Sequence, residues 1–258
     1  MIETNNLTRT YGEVTEVEGL TLRVDEGEIF GFLGPNGAGK TSTVRVLACL
    51  ISKTTGEARI ADYETGNSAD YQKIRKIIGL VPENVGLYED LSAYRNLDFY
   101  GRLYECPEAQ RRKRIEYFLK MLELWDVRDR PVRTFSKGMK QKVAIVRALI
   151  HDPQILFLDE PTANLDPAFQ KTVRDFILEL KHEKRTIFLN THNLDEAQRI
   201  CDRIGILNTK LVAEGTPDQL MESLEGRKTE VQLQQVTPEV TGALERLGLR
   251  YVVSSKNR

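Results

Sequence analysis

An α/β fold built on a mostly parallel sheet is predicted by three stretches of this 258-residue chain. In the first, the apolar run Glu28-Ile29-Phe30-Gly31-Phe32-Leu33 leads through Gly34-Pro35-Asn36-Gly37-Ala38-Gly39-Lys40-Thr41 into the helix-patterned Ser42 to Leu50. In the second, Ile155-Leu156-Phe157-Leu158 ends on the acidic pair Asp159-Glu160. In the third, Thr186-Ile187-Phe188-Leu189-Asn190 runs into Thr191-His192-Asn193. Continuous apolar runs of this length read as strands buried on both faces, and parallel strands of that kind are joined through helices.

The elements follow in order. Leu7 to Tyr11 and Gly19 to Val24 read as an antiparallel edge, with Asp25 to Glu28 turning the chain into the first buried strand. Two readings fit Tyr11: an aromatic ring that stacks on a purine base, or a half-buried tyrosine at a strand end. The strand, glycine loop and helix that come next are the context of a phosphate-binding loop. Glycines at 34, 37 and 39 let successive N–H groups turn inward on a phosphate chain, and the helix behind adds its partial positive charge. Gly34, Asn36, Gly37, Gly39, Lys40, Thr41 and Ser42 are therefore assigned to a nucleoside triphosphate, with Lys40 reaching the β- and γ-phosphates and the Thr41 hydroxyl placed to ligate Mg²⁺.

Glu57 to Ala61 and Ile77 to Val81 are two further strands, and Pro82 stops the second. The loop Glu83 to Tyr88 then falls near the C-terminal strand ends, where α/β proteins bind ligands. From Ser92 to about Leu124 the pattern is helical, with Leu97, Tyr100, Leu103 and Tyr104 on one apolar face and Ile115, Phe118, Leu119 and Leu122 on another. The basic run Arg111-Arg112-Lys113-Arg114 reads as a solvated helix surface. Another helix is expected from Ser136 to Ile150. At the end of the 155–158 strand, beside a phosphate loop, Asp159 is placed to hold Mg²⁺ and Glu160 to orient and deprotonate an attacking water. His192, ending the neighbouring strand, is positioned to donate a hydrogen bond to the γ-phosphate. His151 and His182 receive no role.

Composition narrows the classes. A formal net charge of −1 provides no global basic field for nucleic acid or an anionic membrane surface. Cys49, Cys106 and Cys201 are widely separated, which indicates neither a metal site nor a disulfide framework and suits a reducing compartment. The first residues lack a basic segment followed by an apolar one, so no signal peptide is expected. No apolar run approaches the roughly 20 residues needed to span a bilayer. Work at a membrane would have to proceed by docking on another subunit.

Taken together, Gly34 to Thr41, Phe135-Ser136-Lys137-Gly138-Met139-Lys140-Gln141, Ile155 to Glu160, Asn164-Leu165-Asp166 and His192 closely resemble the nucleotide-binding subunit of ATP-binding cassette (ABC) transporters. The resemblance covers roughly residues 1 to 215. It implies a P-loop NTPase core with an antiparallel β edge and a helical signature subdomain at about 88–150, binding ATP and Mg²⁺ in a dimer of two ATPase subunits. Each ATP would lie between one subunit's phosphate loop and the other's signature, where Ser136 and Gly138 meet the γ-phosphate. Asp166 and its neighbours would couple the two sites, and Tyr11 matches the aromatic that stacks on adenine. A transmembrane permease would be the partner, and the chain would sit on the cytoplasmic face of the membrane through it.

Two departures from the family pattern stand out. The signature has Lys137 and Met139 where the family often has glycine and glutamine, and Glu83 stands where many members have glutamine. Glu83 still accepts from a metal-bound water but adds negative charge beside Asp159 and Glu160. The segment Pro82 to Tyr88 resembles the exporter branch that includes the daunorubicin-resistance type. Residues 216–258, with strand-like Glu230 to Leu233 and Tyr251 to Val253 around a helical Pro238 to Leu247, are expected to form a small, truncated accessory region. The competing function is a soluble ABC ATPase that uses ATP-driven dimerisation as a switch; one cassette without sustained heptads argues for the transporter subunit. A clamp that binds ATP without turnover is disfavoured by the intact Glu160.

Overall fold

A computed structural model describes residues 1–163, 165–224 and Val240. Asn164 and the expected elements at 230–233, 238–247 (Val240 apart) and 251–253 lie outside the described residues. The chain divides into two units, Met1–Met221 and Glu222–Arg258. The first unit starts with β1 (Ile2–Tyr11) and β2 (Val14–Val24), enters the centre as β3 (Ile29–Leu33) and α1 (Lys40–Leu47), and returns to the edge as β4 (Thr55–Ile60) and β5 (Tyr63–Glu64). Then come α2 (Tyr71–Ile77), β6 (Ile78–Val81) and the helices α3 (Ala93–Leu103), α4 (Glu108–Met121) and α5 (Lys137–Leu149). The order ends with β7 (Ile155–Asp159), α6 (Pro167–His182), β8 (Thr186–Thr191), α7 (Leu194–Ile200), β9 (Arg203–Asn208), β10 (Lys210–Gly215) and α8 (Pro217–Leu224).

The strands form two sheets. One is antiparallel, in the order β2-β1-β4-β5. The other has the order β10-β9-β3-β8-β7-β6 and is parallel except for β10. Every residue of β3, β7 and β8 is buried. Because successive side chains point to opposite faces, these strands divide their residues between two cores. Phe30, Phe32, Phe157 and Phe188 meet on the side of α1 and the antiparallel sheet, with ring centroids 5.2 to 6.5 Å apart. Leu156, Leu158, Ile187 and Leu189 face the other way, onto Val143, Ile145 and Val146 of α5 and Phe176 and Ile177 of α6. Continuous apolar runs were the right signal for strands covered on both sides.

Several local expectations are corrected. Ile77 closes α2 rather than opening the strand, which begins at Ile78. The helical stretch after Ser92 is two helices, broken where Glu105 takes φ +57° and Pro107 precedes α4. Leu103 is 66% exposed and does not share the inward face with Leu97. The inward position is taken by Gly101, where an added Cβ would lie 2.3 Å from the Arg111 side chain, and two residues further along a helix points away. Tyr104 stacks on His151 at 3.8 Å, and the His151 Nε2 lies 2.8 Å from the Ile78 carbonyl. Arg111 is no solvated residue: it is buried, pairs with Asp98 at 2.5 Å and donates to the Cys106 carbonyl. Arg114 reaches the Ile150 carbonyl and Asp152, which leaves Arg112 and Lys113 as the open part of that run.

Candidate nucleotide site

The site gathers at the C-terminal ends of three neighbouring strands, β3, β8 and β7. After β3 the loop bends through Gly37 and Gly39, at φ +82° and +96°. Gly34 serves close approach: a Cβ there would lie 2.3 Å from the Leu207 carbonyl oxygen. Gly39 is the N-cap of α1 and supplies no side-chain acceptor to the first-turn N–H groups, which leaves them for an anion. Lys40 is buried, and its Nζ donates to the carbonyls of Gly34 at 2.8 Å and Pro35 at 3.1 Å. Among the described residues no carboxylate pairs with it, and a buried ammonium with a donor to spare fits an anionic ligand.

Asp159, ending β7, is the complementary group. Its carboxylate accepts from Thr41 Oγ1 at 3.2 Å and from Asn190 Nδ2 across the β7–β8 pairing. Burial pushes its pKa up, and the nearby Glu160 and Glu83 charges add to this against the two hydrogen bonds. No cation pairs with it among the described residues. The Asn190 Oδ1 beside it is buried without a partner. A buried acid, a hydroxyl and an orphaned acceptor fit Mg²⁺ held largely by water and phosphate oxygens, a mode that needs only one or two protein carboxylates. No cluster of three or more His, Cys, Asp or Glu suited to a metal occurs among the described residues.

The raised Asp159 pKa has a stability consequence. The folded chain holds the proton more tightly than the unfolded chain, so stability is lost as pH rises from the unfolded value of 3.8 through the folded one. Asp159→Asn is therefore expected to raise the melting temperature of the nucleotide-free protein at pH 7, with the advantage vanishing below about pH 4. Melting curves across pH check this; equal midpoints at pH 7 would show that the acid costs nothing there.

Glu160 follows Asp159 with φ +51°, a conformation that side chains other than glycine rarely adopt. Its N–H donates to the Asn190 carbonyl at 2.8 Å, which holds the turn, and its Oε1 lies 2.8 Å from His192 Nδ1. This pairing constrains His192. A neutral imidazole donates from one nitrogen only, so with Nδ1–H on Glu160 the Nε2 is an acceptor. Donation to a phosphate then requires the imidazolium or release from Glu160.

The remaining expected residues are placed differently. Glu83 lies in the loop after β6, near enough to act on Asp159, and that loop is pinned by Arg147 Nη1 donating to the carbonyls of Val85 and Gly86. Ser136 caps α5 by accepting from the Met139 N–H at 3.2 Å. A Cβ on Gly138 would lie 2.7 Å from the Phe169 ring, so this glycine is already required by packing against α6. Asp166 caps α6, accepting from the N–H groups of Ala168 and Phe169. Among the described residues, neither Ser136, Gly138 nor Asp166 hydrogen-bonds to the phosphate loop. Tyr11 ends β1 at 39% exposure, with the Arg9 guanidinium 4.0 Å from its ring centroid.

Sequence reasoning passed over Asn190, Glu196 and Glu16. Asn190 carries a visible signal, a polar residue closing an otherwise apolar buried run. Glu196 is buried and accepts from Thr162 Oγ1 at 2.7 Å and Thr191 Oγ1 at 3.1 Å, which ties the segment after Glu160 to the turn before His192. Glu16 carries a contact to Ser42. Nothing in the spacing of either residue announces this.

A phosphate loop after a central parallel strand, with an acid pair ending a nearby strand, defines a P-loop nucleoside triphosphatase. More narrowly, the chain belongs to the ABC transporter family, whose profile matches residues 17–163. The linearmycin resistance ATP-binding protein LnrL of Bacillus subtilis is 34% identical over 227 residues, covering 88% of this chain and 72% of that protein. The daunorubicin/doxorubicin resistance ATP-binding protein DrrA of Streptomyces peucetius is 37% identical over 224 residues, covering 86% and 67%. A solved dimeric ATP-binding cassette in a post-hydrolysis state, bound to ADP and Pi, superposes with a TM-score of 0.77 at 29% identity, covering 84% of this chain and 99% of that one. Daunorubicin-type proteins are thus among the relatives, the branch to which the 82–88 segment points.

Proposed function

We propose that this chain hydrolyses ATP at the loop after β3, as one of two identical ATPase subunits closed around two nucleotides, and that the cycle drives export through a separate transmembrane permease. The observation that carries the ATP reading is a buried Lys40 and a buried Asp159 beside the same loop, neither of which has an oppositely charged partner among the described residues. Each charge lacks a partner that a metal-bound triphosphate supplies.

In this reading Gly34, Asn36, Gly37, Gly39 and Ser42 cradle the phosphates and Lys40 neutralises the β- and γ-oxygens. Thr41 and Asp159 would hold Mg²⁺, with Glu83 accepting from one of its waters, and the ion would supply further charge neutralisation. Glu160 takes a proton from the attacking water as the water oxygen bonds to the γ-phosphorus, the bond from that phosphorus to the bridging oxygen breaks, and ADP and phosphate leave. His192 holds the Glu160 carboxylate in place, and donates to the γ-phosphate once released from it or when both ring nitrogens carry a proton. Tyr11 stacks on adenine with its ring face opposite Arg9. Ser136 and Gly138 act on the partner's nucleotide: the start of α5 presents N–H groups and a hydroxyl, an arrangement suited to an anion. Asp166 lies in the segment that couples the two sites.

The cassette is assigned to residues 1–215, with a helical subdomain at about 88–150 and an accessory region at 216–258. No helix among the described residues is long and apolar enough to cross a membrane, and the resistance functions in the relatives' names favour export. Membrane contact is therefore assigned to the permease alone, at the cytoplasmic face, with no nucleic-acid partner. The test is to tag the chain in its own cell, solubilise membranes in mild detergent and identify what copurifies. A polytopic membrane protein at near-equal stoichiometry is the expected result; recovery with soluble partners alone would replace the permease with a soluble target.

A further inference from the structure

Glu16 sits on β2, across from the phosphate loop, and its carboxylate accepts a hydrogen bond from Ser42 Oγ. Ser42 is the third residue of α1, in the turn whose N–H groups lack a side-chain cap. Among the described residues no lysine, arginine or histidine forms an ion pair with Glu16, so its anchor is that hydroxyl. Loop and strand lie close here, since a Cβ on Gly39 would be 2.2 Å from the Glu16 carbonyl oxygen, and the residues on either side of Glu16, Thr15 and Val17, are paired with β1. Rotation of the side chain moves the carboxylate away without disturbing those pairs.

We propose that Glu16 is a resident anion of the phosphate site: its carboxylate holds the Ser42 hydroxyl that a nucleotide phosphate must win, and so sets nucleotide affinity. The proposal rests on the ATP reading above. A hydroxyl has one hydrogen to donate, so Ser42 serves either the carboxylate or a phosphate oxygen. Both anions also draw on the same partial positive charge at the start of α1, and each disfavours the other. Nucleotide binding therefore includes turning Glu16 out of the site.

The experiment measures ATP and ADP affinity by fluorescence titration, at fixed Mg²⁺, for the wild type, Glu16→Ala, Glu16→Gln and Lys40→Ala, with melting curves to confirm that each variant is folded. Glu16→Ala is expected to tighten both nucleotides by about tenfold, with the gain shrinking as salt is raised, and Glu16→Gln, which loses the charge but keeps an acceptor for Ser42, to tighten them by less. Unchanged affinity would overturn the proposal. So would weakened affinity, and if that weakening were absent for 2′-deoxy-ATP, Glu16 would be a ribose acceptor instead. Lys40→Ala separates the two levels: if the wild type binds ATP and Lys40→Ala does not, the site stands whatever Glu16 does. A wild type that binds no ATP removes the site itself.

Discussion

Glu160→Gln is expected to lower ATP turnover about a thousandfold while leaving ATP affinity within a few-fold of wild type. The geometry explains why the two quantities separate. Glutamine keeps the size of the side chain, the backbone N–H to Asn190 and an oxygen that can accept from His192 Nδ1. What disappears is the carboxylate able to take the proton of the attacking water. The Lys40 and Asp159 ends of the site are untouched, so the nucleotide still binds, and in the dimer proposed above the ATP-closed state should outlive that of the wild type. Steady-state turnover beside nucleotide titration reads both quantities. Equal turnover in the variant would remove Glu160 as the base, and a parallel loss of binding would make its role structural.

Gly39→Ala is the second large effect. At φ +96° an L side chain is strained, and its Cβ would lie 2.2 Å from the Glu16 carbonyl oxygen and 2.9 Å from Val17 Cγ2. The oxygen belongs to β2 at the register shift between the Thr15 and Val17 pairs with β1, so the loop or this irregularity has to give way. We expect a loss of about 3 kcal/mol in stability, or a displaced loop that no longer binds nucleotide. Gly37→Ala is the control: its φ is +82°, yet nothing lies within 4 Å of an added Cβ. It carries the conformational cost alone, about 1 kcal/mol. Denaturant unfolding and nucleotide titration of both variants separate steric from conformational effects; equal losses would mean that contact with β2 contributes nothing.

The sheet was legible because its strands are buried on both faces and therefore apolar at every position, a pattern that survives without knowledge of neighbours. The phosphate loop and the Asp159-Glu160 pair were legible because their chemistry depends on residues adjacent in sequence. Contacts between distant segments were not. Nothing near Glu16 points to Ser42, and nothing near Glu196 points to Thr162 and Thr191, since both pairings exist only once β2 and α7 are folded against the core. Arg111 was misread for a related reason: a run of four basic residues looks uniformly solvated until Asp98 on α3 is found facing one of them. Gly138 and Asp166 show the opposite limit, because helix packing and capping already account for them before any nucleotide is considered.

The adjacency of β3, β8 and β7 also gives the site a ruler. Lys40 follows the first strand, His192 the second and Glu160 the third, and hydrogen-bonded strands lie about 4.8 Å apart. The ends of β3 and β7, from which the glycine loop and the Asp159-Glu160 turn depart, are therefore about two strand widths apart and are held there by main-chain hydrogen bonds rather than by any side chain. Loops and side chains around this frame can diverge to alter affinity or speed while the gauge of the site stays the same.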